Sequence, residues 1–571
     1  MFGRKSKEDQ LLKNAIQTEA EKLLREKQIE VQNLSARIDT LESELRDSKI
    51  NLTSLKRQID GSKKASLEAA LNENKKLWLE AGVLPIPKDI TYIEDPIYKQ
   101  VSLEPALASI YFHPIVQRLG HIKQLSFSHL TFPSATHTRL SHSLGVCRNA
   151  ELALGTMLRK GDLYTPEAIE KIDLNEADKS KLILKAKAAG LLHDLGHGPF
   201  GHGLDQYMSS MMGQKMERGK KIQVTAYDKE FSAKYISKHL RADEIDLEGI
   251  CNIFSTDETN LDGYDVLIKN IIDSPQDVDR MDYLIRDAHM TGLSLGVNIQ
   301  AIIDRMLPFK KITEGRQTIS LVFHPSAISH ITNLLYARDS MYMNCYEHPN
   351  KVVAEKMLVR AIDEFRTKYN LNIDDIVFLS DEQLLRLLLE FSEPSDLSYQ
   401  YALALLRNTL FEEVFCIHPN KWEVWDRKKG GKKADRENEV PPMKPTKVIE
   451  SWEDEGLFYK VRFISRPREW EESIAANVGL KEDEKWKILI TVPSANMFEA
   501  RFDRIRILVE EGSGKYSYRK LGEITDYWEG ILKYLGNERY AIRVFVSADL
   551  SMDKKRAIYE EARKLFVEEV N

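Results

Sequence analysis

Over residues 4–60, apolar positions recur in alternating steps of three and four. Val31, Leu34, Ile38, Leu41, Leu45, Leu52, Leu55 and Ile59 form the seam, with Ser48 in one slot and Ala20 and Leu24 extending it upstream. Glu, Lys, Arg and Asp fill the flanks, and no Pro or Gly intervenes before Gly61, which is expected to end the run. A heptad seam of this length predicts a coiled coil that joins a second copy or captures a partner protein. The competing reading is one amphipathic helix folded back on its own domain. From Leu84 the text changes to Leu-Pro-Ile-Pro and then Tyr-Ile-Glu-Asp-Pro-Ile-Tyr, a linker. Residues 100–410 read as moderate helices separated by Pro, Gly and polar loops, with a short hairpin over 310–323 around Glu314-Gly315. A basic tract from Arg427 to Lys433, followed by Pro441-Pro442, marks a flexible boundary. It reads as a solvated loop, with phosphate or nucleic-acid binding as the alternative. Beyond it, Leu457–Ile464, Lys487–Val492, Arg504–Val509 and Tyr540–Val546 read as strands, and 551–569 as a terminal amphipathic helix. The expected organisation is a coiled coil over 1–80, a helical body over 90–425 and a smaller α+β lobe over 440–571.

With 571 residues and 42% hydrophobic content, the chain can bury a large core and hold more than one domain. A net charge of −6 is small for this length and does not single out nucleic acid as a partner. Cys147, Cys251, Cys345 and Cys416 show no CxxC spacing, so single thiols in a reducing compartment are expected. No apolar run approaches the length of a membrane span. A cytoplasmic protein with no membrane association is expected.

Three fragments carry the chemistry: His-Thr-Arg-Leu-Ser-His at 137–142, His-Asp-Leu-Gly-His at 193–197, and Asp-Val-Asp-Arg-Met-Asp-Tyr at 277–283. They supply imidazole, imidazole plus carboxylate, and carboxylate, a set that can hold a divalent metal and leave positions open for water and a phosphate oxygen. The helix predicted over Lys181–Leu192 is stopped by Gly196, Gly198 and Pro199, which puts His193-Asp194 in its last turns. Asp279, Asp282, Tyr283, Arg286 and Asp287 follow helical steps along one stripe, with Met281, Leu284, Ile285 and Ala288 opposite. That stripe is expected to present Asp279 to the metal and the other groups to a ligand. Mixed N/O ligands suit Mn, Mg, Fe or Zn, so the ion stays open. Arg139, one turn before His142, can donate to a phosphate in a planar fork.

The set His142, His193, Asp194 and Asp279 resembles the metal-binding signature of the HD phosphohydrolase superfamily. Longer stretches at 117–125, 137–146, 191–202 and 279–289 are similar to its deoxynucleoside-triphosphate triphosphohydrolase (dNTPase) branch, over roughly residues 90–410. The resemblance implies a mainly α helical bundle and metal-dependent hydrolysis of dNTPs to deoxynucleoside and triphosphate. It implies His202, with Asp205 behind it, as an acid–base pair, and His197 near the phosphates. It also implies Gln124 and Leu125 at the deoxyribose, with Gln124 and Asp287 on the 3′-hydroxyl. Tyr283 would stack under the sugar, and Arg338 and Tyr346 would surround phosphates and base. A nucleotide activator, homo-oligomerisation and a role in antiviral or anti-phage dNTP depletion follow by the same analogy. Two departures stand out. Asp228 falls where a mammalian member has a further active-site His, and Phe112 and Gly120 replace the acid and Arg of its guanine-activator pocket. The residues themselves leave two other readings open: an HD-type nuclease or cyclic-nucleotide phosphodiesterase, and a nucleotide-sensing module acting through a coiled-coil partner.

Overall fold

The computed structural model describes residues 2–80, 87–201, 203–205, 207–208, 227–255, 261, 263–313, 316–417, 467–492, 504–524 and 542–568. His202, the basic tract, Glu314-Gly315 and the expected strand at 457–464 lie outside the described residues. The chain forms two compact units, Met1–Ala70 and Leu71–Asn571, and is mainly α.

One helix, α1, spans Phe2–Leu79 and continues through Gly61, where the heptad run was expected to stop. A lone glycine costs a helix only about 1 kcal/mol relative to Ala, and good helix formers on both sides outweigh that. In the first unit the seam residues Val31, Leu34, Ile38, Leu41 and Leu45 are each more than half exposed. The last turns of α1 belong to the second unit: Leu71 and Trp78 are buried, Lys75 pairs with Asp375, and Asn74 accepts from Gln383.

The second unit is built on capped helices. Helix α2 (Arg139–Lys160) starts at Thr138, whose hydroxyl accepts from the Ser141 amide, and ends at Gly161 with φ 73°. Helix α3 (Glu176–Leu192) is capped by Asn175 and carries Glu176 and Asp178 in its first turn. Helices α4 (Tyr227–His239) and α5 (Gly263–Ile272) follow. Helix α6 (Val278–Thr291) is capped by the Asp277 carboxylate, which accepts from the Arg280 amide. Helix α7 (Ile328–Met341) runs into a short π turn at Tyr342–Tyr346. The buried face of α2, including Val146, Ala150, Ala153 and Leu154, lies in the core with Ala186, Ala189 and Leu192 of α3.

The strands divide differently from the expected lobe. A small hairpin of β1 (Thr91–Asp95) and β2 (Lys99–Leu103) opens the body. A six-stranded sheet joins β3 (Asp162–Tyr164), β4 (Ile169–Lys171), β5 (Met306–Thr313), β6 (Arg316–Phe323), β9 (Arg506–Gly512) and β10 (Lys515–Lys520) in the order β10-β9-β6-β5-β3-β4. The β5–β6 hairpin starts four residues before the expected 310, and β9 extends it in parallel, with Phe323 opposite Ile507. The stretch expected to lie in a separate lobe therefore completes a sheet of the helical body. Leu307, Phe309, Val322 and Leu508 share one small core there. Among the described residues, the C-terminal part also holds a three-stranded sheet of β7 (Glu412–Ile417), β8 (Ile488–Thr491) and β11 (Ile542–Val546), in the order β7-β11-β8. Helices Pro467–Asn477 and Met552–Arg563 contribute Ile474, Ile558 and Tyr559 to its core with Phe415, Ile490 and Val544.

Candidate active site

Four elements converge on one cluster. His142 comes from the first turns of α2. His193 is the residue that closes α3, and Asp194 lies in the turn after it, just beyond the helix rather than in its last turns. Asp279 sits in the first turn of α6. Ligand atoms of His142, His193 and Asp194 all fall within 4.8 Å of one another. Asp279 Oδ1 is 3.0 Å from His142 Nε2 and 3.6 Å from His193 Nε2. His193 Nδ1 is 2.8 Å from the Gly190 carbonyl, which turns Nε2 inward, and that buried Nε2 has no hydrogen-bond partner. An orphaned imidazole nitrogen facing two carboxylates is the chemistry of a divalent-metal site, and the donor set fits such an ion.

The electrostatics agree. Burial works against charge on His142, but the carboxylates of Asp279 and Asp282 outweigh it and push its pKa up to about 10. Asp279 is held well below the usual carboxylate range: burial opposes ionisation, and His142 and His193 overcome it. The cluster therefore calls for positive charge.

The stripe reading expected Asp282 and Arg286 to face a ligand; both are instead turned into the protein. Asp282 is fully buried, and its carboxylate accepts from His142 Nδ1 at 2.7 Å and from Arg286 Nε and Nη2 at 2.9 and 3.0 Å. Arg286 also donates to Asp95 at 2.7 Å. This ion network runs under α2 and fixes which ring nitrogen of His142 points at the cluster. A Cβ on Gly145 would lie 1.9 Å from Asp282 Oδ1, so only glycine lets α6 come this close. A second holding residue is Arg118, 1% exposed, which donates to the carbonyls of Leu195, His197 and Val377 and shapes the loop after Asp194. The motifs contain both residues, but the contacts that give them their roles, His142 for Asp282 and the 195, 197 and 377 carbonyls for Arg118, lie far away along the chain.

Arg139 is also 1% exposed; Nη1 donates to Asp194 at 2.6 Å, while Nε and Nη2 are buried without partners. Gly201, at φ 52°, leaves that free edge open, since a Cβ there would be 2.1 Å from Nη2. His197 lies next to it. Its Nδ1 meets Asp205 at 2.5 Å, and its Nε2 is 3.2 Å from Asp194 and 3.8 Å from Asp228. Burial and Arg139 both disfavour charge on His197, yet Asp205 and Asp194 prevail and raise its pKa to about 10. Asp205, expected behind His202, thus has His197 as a partner.

The residues expected around the sugar, phosphates and base lie near one another as well. Asp287 is gripped by His137 Nε2 and by the Tyr346 hydroxyl, each at 2.7 Å. The Gln124 amide nitrogen donates to the His137 carbonyl at 2.9 Å, and its side-chain Oε1 is buried without a partner. Leu125 is buried. The Tyr283 ring lies 6.4 Å from His142 and 6.2 Å, edge-on, from Tyr346. Arg338 sits over the Tyr342 ring at 4.9 Å, and its positive charge bears on Tyr283. His137 is the residue sequence reasoning left without a role here.

A family model described as HD domain matches residues 139–287, which contain all four clustered residues. Residues 139–287 of this chain thus form an HD domain. It is 27% identical over 316 residues to the deoxynucleoside triphosphate triphosphohydrolase SAMHD1 of Homo sapiens, covering 51% of this chain and 48% of that protein. An uncharacterized protein of Methanocaldococcus jannaschii is 29% identical over 332 residues, 58% of this chain and 62% of the relative. Another, from Mycoplasma genitalium, is 30% identical over 269 residues, 46% and 58%. The HD-domain chain thus spans less than two thirds of the length of these relatives. Among the described residues, no helix is long and apolar enough to cross a membrane.

Proposed function

We propose that this HD-domain protein is a dNTP triphosphohydrolase. The observation that carries the reading is the free, buried Nε/Nη2 edge of Arg139 beside the His142, His193, Asp194 and Asp279 cluster. Two unpartnered guanidinium donors in a dry site are costly unless an oxyanion meets them, and a phosphate matches their fork. His142, His193, Asp194 and Asp279 would hold the metal, which when bound polarises a phosphate oxygen and acidifies water. The chain's own groups do the rest. Arg139 orients and neutralises a phosphate. His197, kept charged by Asp205 and Asp194, adds positive charge at the same place. By resemblance, His202 takes the acid–base role. Water adds to the α-phosphorus, the bond to the 5′-oxygen breaks, and a proton delivered to that oxygen releases deoxynucleoside and intact triphosphate. Asp287, oriented by His137 and Tyr346, and the free Gln124 Oε1 offer acceptors for a 3′-hydroxyl, while Tyr283 leaves a 2′-hydroxyl no partner.

The exposed seam of α1 supports assembly through a coiled coil, with a partner protein as the alternative occupant. The wider role we assign, cytoplasmic dNTP removal that starves viral or phage replication under nucleotide control, rests on family analogy. The test is purified protein with Mn or Mg and each dNTP, NTP and a short oligonucleotide, with products separated by chromatography. Triphosphate from dNTPs supports the reading; nucleotide release from the oligonucleotide alone moves the chain to the nuclease or phosphodiesterase class.

A further inference from the structure

A cavity of about 470 Å³ lies among the end of α5, the loop before α6, the end of β6 and the β9–β10 hairpin. None of its lining residues belongs to the metal cluster. Gln276, Asp273, Arg504, Arg506, Tyr518 and Lys520 give it its character. Gln276 is 1% exposed, and neither its amide oxygen nor its amide nitrogen has a hydrogen-bond partner. Leaving both halves of a buried amide unmet is destabilising in general, which points to a ligand that meets them.

The charges point the same way. Lys269, deeper in the wall, is committed to the carbonyls of Ile253 and Ser255. Asp273, the lining carboxylate, is neutralised by Lys229. Arg506 lies over the Tyr518 ring at 5.4 Å and donates to Asn270 Oδ1 at 3.5 Å. Arg504 and Lys520 form no ion pair among the described residues and are exposed at the rim. Three cations thus border a cavity whose floor is an unpaired amide, and the volume is that of a small-molecule site.

We propose that this cavity binds a phosphate-bearing small ligand, with its charge on Arg504, Arg506 and Lys520 and a polar edge of the ligand on the Gln276 amide. An amide presents one donor and one acceptor side by side, the complement of a base edge or of another amide. The site is independent of the hydrolase reading. Its wall runs directly into the cap of α6, since the Asp277 carboxylate accepts from the Ser274 amide and Arg280 donates to the Ser274 carbonyl.

Titration calorimetry on the full chain tests it, with tripolyphosphate and with a non-hydrolysable nucleoside triphosphate as probes. Three proteins are compared: wild type, the double variant Arg504→Glu/Lys520→Glu, and Arg139→Ala. The reversed residues are exposed, so their replacement leaves the packing in place. The proposal expects a binding event that survives Arg139→Ala and weakens about tenfold or more in the double variant. Equal binding of both probes marks a site that reads phosphate alone. Preference for the nucleotide, lost in Gln276→Ala, marks one that reads a base as well. The proposal is overturned if neither probe binds at millimolar concentration. It is equally overturned if all binding disappears in Arg139→Ala and the double variant binds like wild type, because the anion would then belong to the metal cluster.

Discussion

Replacing Asp282 with asparagine keeps the shape of the side chain and removes its charge. In the wild type three donors converge on this one carboxylate, from His142 Nδ1 and from Nε and Nη2 of Arg286. Asparagine offers one acceptor oxygen, so its NH2 faces Arg286 Nη2 in one orientation and His142 Nδ1 together with Arg286 Nε in the other. If the amide turns its NH2 to His142, the ring loses the partner that fixes its tautomer and Nε2 no longer aims at the cluster. Loss of such a supporting carboxylate typically weakens metal binding about 10- to 100-fold. Arg286 keeps Asp95, so the stability cost should fall near the lower end of the roughly 3–5 kcal/mol seen when one partner of a buried pair is removed. The assay is metal titration alongside thermal unfolding, with Asp95→Asn as the control. Asp95 touches Arg286 and not His142, so its variant should lose stability with little change in metal affinity. Equal metal affinity in wild type and Asp282→Asn, or an equal loss in both variants, would refute the orienting role.

Arg139→Lys should retain the metal and lose about 10- to 100-fold in turnover, because a single ammonium cannot replace the free Nε/Nη2 edge; metal analysis and rates on one preparation check this. Gln124→Ala and Tyr283→Ala should narrow the preference for dATP over ATP, measured as a ratio of kcat/KM. Equal wild-type rates on the two nucleotides would remove the sugar pocket. Deleting residues 1–70, and not 1–80, should lower the mass seen by light scattering or lose a partner in pull-downs while leaving the metal site intact. Leu71 and Trp78 are buried in the larger unit and have to stay. A truncated protein unchanged in mass, partners and regulation would mean that the seam serves no assembly.

The residues of the candidate metal cluster were readable because each lies in a short motif whose residue types are unusual at a helix end or along a helix stripe. Their support was not. Asp282 looks like one more charge on an amphipathic face until Gly145 and His142 are seen packed against it. Arg118 earns its place through carbonyls at 195, 197 and 377, far away along the chain. His137 sits inside a quoted motif, yet its contact with Asp287 spans 150 residues. The same distance problem hid the sheet. Arg504–Val509 reads as a strand from its own alternation, but nothing local says that it pairs with Phe323 of the helical body. At Gly61 the error ran the other way: a local breaker was overruled by strong helix formers on both sides.

The most direct test of the central claim combines metal content with triphosphate release from a dNTP, on the same preparations of wild type, His193→Ala and Asp279→Ala. The account predicts that wild type holds a divalent ion and converts the dNTP to deoxynucleoside and intact triphosphate. Both variants should stay folded and helical, lose the ion and release no triphosphate. Full metal occupancy in either variant, or triphosphate release without the ion, would contradict it.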